Sequence, residues 1–435
     1  MADGEAASAH PPAPSRLRGG ERKGLGGLLG RFGLASLSSA IVSVSHLGVQ
    51  LFSIHHLGTA AIGTLAFLLV IIQFGYSLSN ALVSTPYTIA VNQGDADGKS
   101  FDFFFPVNLL LALSQGLVCA GIAWVTASPT AAAMFGLAGT LSLVRWFGRS
   151  NAYAHHAPAR AARSDLAYAG TIVAGLLIAS RTGADLASIG GMLVAASIIG
   201  LLPFGFAYVR RHVAMGPTRA LSDYLPVWRE QSAWTLVGVL STEATSNAQS
   251  YIVTLLAGPT AFAPVAVGML FFRPVNVCIT ALTQLERPRM TRAVASGDHD
   301  AAIKSERVFM GALVFLWAAT CMVAAVVLFA FPQLILKPTL DHELVAIAVG
   351  LCALLSLVQC LQTPMSVMTQ ARKAFRPLAN QSLRSCGVGV VAVTLLTLAV
   401  APIFSIAGVV LSQLVMMLGI WQLDRKWRSE QGAAR

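Results

Sequence analysis

A chain of 435 residues that is 55% hydrophobic and only 11% charged, with a mean hydropathy of +0.67, falls well short of the roughly 25% charged residues of soluble domains. Runs of roughly 20 apolar residues, each enough for a ~30 Å hydrocarbon layer, recur along its length and exclude a soluble enzyme. The net charge of +11 lies mostly in short loops between these runs, so it reads as a topology signal with a secondary role in anionic-lipid contact, and no nucleic-acid binding is expected.

The first 30 residues are rich in Gly, Pro, Ala and Arg and lack the early apolar core of a signal peptide; they are expected to be a disordered basic cytoplasmic arm. Twelve candidate spans follow, at 32–54, 60–83, 103–126, 130–147, 166–180 and 186–209, then at 233–256, 261–282, 308–331, 344–368, 383–400 and 404–423. With these spans, 27 of the 30 lysines and arginines fall on one side, Arg181 and Lys337 fall on the other, and Arg273 remains inside a span. That asymmetry predicts both termini in the cytoplasm. The expected organisation is an all-α membrane protein with a six-helix lobe over 31–210, a cytoplasmic linker over 211–231, a second six-helix lobe over 232–424 and a basic tail over 425–435. The linker, which contains Trp228 and several arginines, suits either an amphipathic stretch on the bilayer surface or a solvated connection.

The halves repeat at an offset near 200 residues. Leu57-Gly58-Thr59-Ala60-Ala61 opens the second span and Ala257-Gly258-Pro259-Thr260-Ala261 opens the eighth; Gly94-Asp95 is matched by Gly297-Asp298, Pro86 by Pro288 and Gln50 by Gln249. Six helices per repeat give halves of the same orientation, the plan of two-lobed transporters with a central path.

Arg273 is the chain's single basic residue at mid-span depth. An arginine there costs about 2.5–3.5 kcal/mol even on the mildest insertion scale, so it should face a cavity holding a partner or an anion. The following Pro274 should kink the helix. In the seventh span, Glu243 and Asn247 share a helix face within Ser241-Thr242-Glu243-Ala244-Thr245-Ser246-Asn247. Glu243 is expected to carry a proton or sodium ion, to pair with Arg273 on the next helix, or to do both in turn. In the first span Ser39, Ser43, His46 and Gln50 fall on one face, the pattern of a helix lining a polar path. His46 reads as an ion-coupling group or as a satisfied core histidine. Arg145 and Arg149, four apart at the end of the fourth span, either snorkel to headgroups or draw an anionic headgroup inward. Gln249 and Ser246 complete the polar candidates. The six cysteines lie within apolar spans without CxxC spacing, and the nine histidines lack zinc spacing; no metal and no cofactor are expected. There is no P-loop, so transport would run on an ion gradient, the membrane potential or the substrate gradient.

Leu57-Gly58-Thr59-Ala60-Ala61-Ile62-Gly63, then Ser79-Asn80-Ala81-Leu82, with Pro288-Arg289-Met290 and Gly297-Asp298 in the second half, resembles the multidrug/oligosaccharidyl-lipid/polysaccharide flippase superfamily, and within it the polysaccharide branch. The resemblance implies alternating-access flipping of a polyprenyl-diphosphate-linked oligosaccharide across the bacterial cytoplasmic membrane for exopolysaccharide, capsule or O-antigen synthesis. Glycosyltransferases and a polysaccharide polymerase would be its partners. Multidrug members often carry acids in the seventh and tenth helices; Glu243 matches the first, whereas the tenth has only Glu343 at its edge. Flippases of lipid-linked sugars have cationic cavities with arginines near the eighth helix, which Arg273 fits. The peptidoglycan-precursor branch commonly has fourteen helices and several arginines in its first two, against twelve and Arg31 here. The alternatives are an organic-cation exporter coupled to H+ or Na+, a major-facilitator transporter, to whose loop signature Asn92-Gln93-Gly94-Asp95-Ala96-Asp97-Gly98-Lys99 is a poor match, and a membrane-embedded polysaccharide enzyme, which would need larger external loops.

Overall fold

The computed structural model describes residues 41–93, 101–155, 157–334, 341–372 and 374–433, and these are almost entirely α-helical. The N-terminal arm, Ser39 and Lys337 lie outside the described residues. Helix α1 is seen over 41–56. Helices α2 (Thr59–Ser79) and α3 (Thr85–Gln93) form one long span interrupted by a π turn, Asn80–Ser84. Pro86 contributes to the break: it has no N–H to give the carbonyl of Leu82, four residues back. That carbonyl instead accepts Tyr224 Oη at 2.6 Å and Ser232 Oγ at 3.4 Å. Helices α4 (Phe104–Thr126), α5 (Pro129–Ala154), α6 (Pro158–Thr182) and α7 (Leu186–Leu201) complete the first lobe. Their turns are set by local chemistry. Ser128 caps α5 at the Ala131 amide, with Pro129 in the first turn, and Asp185 forms a capping box with Ser188 at the start of α7.

Short α8 (Phe206–Arg211) and α9 (Pro217–Val227) carry the chain to the second lobe. Helix α9 is amphipathic, burying Ala220 and Tyr224 while exposing Leu221 and Leu225, so the linker is a built helix rather than a plain solvated connection. Then come α10 (Ala233–Ser246), α11 (Ala248–Phe271), α12 (Arg273–Ala295), α13 (His299–Ala330), α14 (His342–Ala371), α15 (Phe375–Ala399) and α16 (Ser405–Ala433).

Ten helical stretches are long and apolar enough to cross a membrane. One of them, α11, turns sharply at Gly258 (φ 83°, ψ 169°), a conformation that suits glycine. The turn divides α11 into the end of one crossing, begun by α10, and the start of the next, continued by α12. With α1, that gives twelve crossings in two lobes. Gly258 thus occupies in the second lobe the turn that Gly58 occupies in the first.

The lobes meet along α2–α3 and α10–α11. A methyl group on Gly63 would run into the Pro259 carbonyl, so the turn ends of the two lobes are in close contact. At the opposite, arginine-rich end, Tyr224 and Ser232 close on Leu82. Each lobe is also clamped at that end by an acid near the start of its third helix and an arginine beyond its sixth helix or in that helix's last turns. In the first lobe Asp102 pairs with Arg211, whose guanidinium lies 3.9 Å from the Phe105 ring. In the second Glu306 pairs with Arg428 at 2.7 Å, within a network that includes Asp424 and Arg372.

Several boundaries differ from the sequence expectation. The fifth crossing is a full 25-residue helix rather than 166–180, because Asp165, one of the charged residues that make its start read as loop, is buried against Arg145 and Arg149. The sixth ends near Phe204, where Gly205 (φ 84°) breaks the helix, rather than at 209. The eighth continues to Ala295 rather than 282, and α16 runs on to Ala433, so residues 425–433 form part of a packed helix.

Candidate substrate cavity

A cavity of about 520 Å³ lies between the lobes, walled by α1, α2 and α5 on one side and by Asn247, α11 and α12 on the other. One of its cations is Arg273. Helix α11 ends at Phe271, Phe272 breaks the geometry (φ −96°, ψ 4°), and Arg273-Pro274 open α12. Proline is tolerated there because first-turn amides have no intrahelical acceptor. The break aims Arg273 across the cavity, where Nη1 donates to Gln50 Oε1 on α1. Among the described residues no carboxylate pairs with this guanidinium. Asn276 and Thr280 follow on the same face of α12 and also line the cavity.

Ser43, His46 and Gln50 line the facing wall, as the one-face pattern of the first helix requires. His46 Nε2 lies 2.8 Å from the Tyr168 hydroxyl, so α6 fixes the ring. Asn247 reaches the cavity from the second lobe. Gln249 does not: it is fully buried, its amide nitrogen directed at the Ser246 carbonyl and the Met269 sulfur inside its own lobe. The repeat therefore places Gln50 and Gln249 at matching positions but sends them to different surroundings.

Glu243 and Arg273 do not form an ion pair. The Glu243 carboxylate accepts Ser77 Oγ at 3.0 Å from the first lobe and Asn247 Nδ2 at 2.7 Å from its own. Both donors are neutral, and no cation among the described residues pairs with the carboxylate. Asn247 joins the two sites, since it both lines the cavity and holds Glu243.

Arg145 and Arg149 separate in role. Arg145 is 1% exposed and pairs with Asp165 at 2.8 Å. Its guanidinium lies 4.1 Å from the Tyr168 ring, and Gly200 packs directly against its stem. It is absent from the cavity wall, and its charge is held inside the lobe by Asp165. Arg149 Nε lies 3.2 Å from the other Asp165 oxygen, near enough to share its charge although not aligned as a hydrogen bond. Arg149 does line the cavity, together with Trp146 and Tyr76.

Sequence reasoning missed Asp165, Ser77, Tyr76, Asn276 and Thr280. For Asn276 and Thr280 the signal was present, as polar residues three and seven positions after Arg273. For Asp165 it was an acid at the same membrane end as two arginines. Nothing local marks Ser77 or Tyr76, whose partners are distant in the chain.

Two parallel six-helix lobes enclose a polar, arginine-bearing cavity, and solved structures of membrane transporters share this fold. An inward-facing multidrug resistance MATE family transporter of the MOP superfamily superposes with a TM-score of 0.63 at 12% identity, over 91% of this chain and 96% of its own. The lipid II flippase MurJ, in an inward closed conformation, does so with a TM-score of 0.63 at 8% identity, over 90% and 87%. A eukaryotic MATE transporter, AtDTX14, gives 0.58 at 16%, over 90% and 94%. The chain therefore has the fold that these transporters share. No family model and no curated protein matches it.

Proposed function

We propose that the protein flips a polyprenyl-diphosphate-linked oligosaccharide from the cytoplasmic to the outer leaflet of a bacterial cytoplasmic membrane, by alternating access, with both termini in the cytoplasm. The observation that carries this reading is Arg273: a guanidinium in the interlobe cavity, steered by the neutral amide of Gln50 and not neutralised by a described carboxylate. A guanidinium fork suits the paired oxygens of a phosphate, and charge-assisted hydrogen bonds are about twice as strong as neutral ones. Ser43, Gln50 and Asn247 offer hydrogen bonds to sugar hydroxyls, and Arg149 adds a second basic side chain at the wall. Ser39 belongs to the same expected face of α1. Glu243 is the coupling acid, taking up H+ or Na+ between Ser77 and Asn247. His46, fixed by Tyr168, helps to line the path. Glycosyltransferases would supply the substrate and a polysaccharide polymerase would consume it.

An exporter of organic cations is favoured by one observation, the Glu243 carboxylate unpaired with arginine. The two readings separate in cells. Disrupting the gene should reduce surface polysaccharide and accumulate lipid-linked oligosaccharide, and wild type but not Arg273→Ala should restore both. Unchanged polysaccharide with increased sensitivity to cationic drugs would overturn the flippase reading.

A further inference from the structure

The cavity has a second feature that Arg273 does not use. Tyr76 and Trp146, on α2 and α5, stack almost in parallel, with ring centroids 4.5 Å apart and 11° between planes. Many of the packed rings at the arginine-rich end of the same lobe meet edge-on instead, as Tyr87 does with Phe104 and Phe105 with Phe147, each pair at 76°, although Phe103 and Phe104 stack there at 27°. Edge-on and offset packing both satisfy ring quadrupoles, and in the parallel form each ring keeps an outer face that its partner does not cover. This stack is also fixed in place. The Trp146 indole N–H donates to Asn80 Oδ1 at 2.8 Å, where Asn80 begins the π turn of the second crossing. The Arg149 guanidinium lies 4.6 Å from the Trp146 ring and is itself tethered to Asp165.

The geometry points to the Tyr76–Trp146 pair as a platform for a pyranose ring, so that the sugar of the substrate lies on the aromatic wall while its diphosphate engages Arg273. This rests on the flippase reading and adds the carbohydrate to it. A pyranose has an apolar C–H face, which suits an aromatic ring, and a rim of hydroxyls, which needs hydrogen bonds. Gln73, one turn before Tyr76, and Asn247 and Asn276 across the cavity supply such groups. A polyprenyl tail would have no use for these amides. An aromatic cation on the same platform would meet Arg149 beside it and Arg273 in the same chamber, and like charges oppose it.

The test is binding of two lipids to the full-length protein in nanodiscs: a polyprenyl diphosphate carrying the oligosaccharide, and the same lipid without sugar. The wild type should hold the glycosylated lipid about three- to tenfold more tightly, in line with the worth of an aromatic stack. Tyr76→Leu should erase that difference, and Tyr76→Phe, which keeps the ring, should keep it. Equal affinities in the wild type, or a sugar-dependent difference that survives in both Tyr76→Leu and Trp146→Leu, would overturn the platform. If the sugar-free lipid still binds and Arg273→Ala abolishes that binding, the flippase reading stands without it. If neither lipid binds the wild type but a quaternary ammonium dye does, both readings fall.

Discussion

Two groups of arginines lie in and beside the interlobe cavity, and their surroundings differ in kind. Arg145 and Arg149 share Asp165 within the first lobe. Arg145 is sealed between Gly200 and Tyr168, and its one strong partner satisfies its charge. Arg273 sits at the seam between lobes, at a break between two helices, and has an amide rather than an acid as its partner. The buried Arg145–Asp165 pair holds helices in register and has little charge left for a ligand, whereas Arg149, on the same carboxylate, still faces the cavity. A cation steered by a neutral group contributes less to folding and keeps its charge for one. The difference teaches that burial alone does not identify a binding arginine; the partner does.

The largest expected effect breaks the first group. Removing one member of a buried ion pair leaves an uncompensated charge and costs about 3–5 kcal/mol. Asp165→Ala should therefore lower the melting temperature of the purified protein sharply, whereas Arg273→Ala, with no acid to orphan, should change it little. Comparable losses in both would erase the distinction. Next, Glu243→Gln should keep one acceptor oxygen, with Ser77 or Asn247 turning to accept from the new amide N–H, but lose the ionisable group, so transport should persist down a substrate gradient and stop responding to an imposed proton or sodium gradient. An unaltered gradient response, measured in proteoliposomes, would remove Glu243 from coupling.

A smaller effect sharpens the role of the amide. Gln50→Ala removes a hydrogen bond to a charged group, worth about 1.5–3 kcal/mol, and should weaken binding of polyprenyl diphosphate less than loss of Arg273 itself; unchanged affinity would make Gln50 incidental. The smallest concerns the interlobe seam. Tyr224→Phe deletes the 2.6 Å bond to the Leu82 carbonyl, worth about 0.5–1.5 kcal/mol. It should raise the accessibility of a cysteine placed at Ala233 without a large change in melting temperature. No change in labelling rate would show that this contact does not hold the seam.

The crossings and the repeat were legible because hydropathy and charge asymmetry are summed over whole segments, and because Gly58 and Gly258 mark corresponding turns. Arg273 was legible for the same reason, being a single charge in a long apolar run. Its partner was not. Gln50 is more than 200 residues away, and Glu243, on the adjacent helix, was the more obvious candidate by charge; the Phe272 break carries the guanidinium toward α1 instead. Asp165 was misread as part of a loop because its charge and those of Arg160 and Arg163 depress local hydropathy, although the fold neutralises Asp165 against α5. The Tyr76–Trp146 stack joins two helices by ring orientation, which no spacing rule along the chain encodes.

The central claim is that Arg273 is an anion site whereas Arg145 is a structural cation. Its most direct test is the binding of polyprenyl diphosphate to the purified wild type, to Arg273→Gln and to the double variant Arg145→Met/Asp165→Leu, which replaces a buried pair with apolar side chains, often a nearly neutral exchange. Binding lost in Arg273→Gln and retained in the double variant is the predicted result. Retained binding in Arg273→Gln, with binding lost in a double variant that remains folded, would contradict the account.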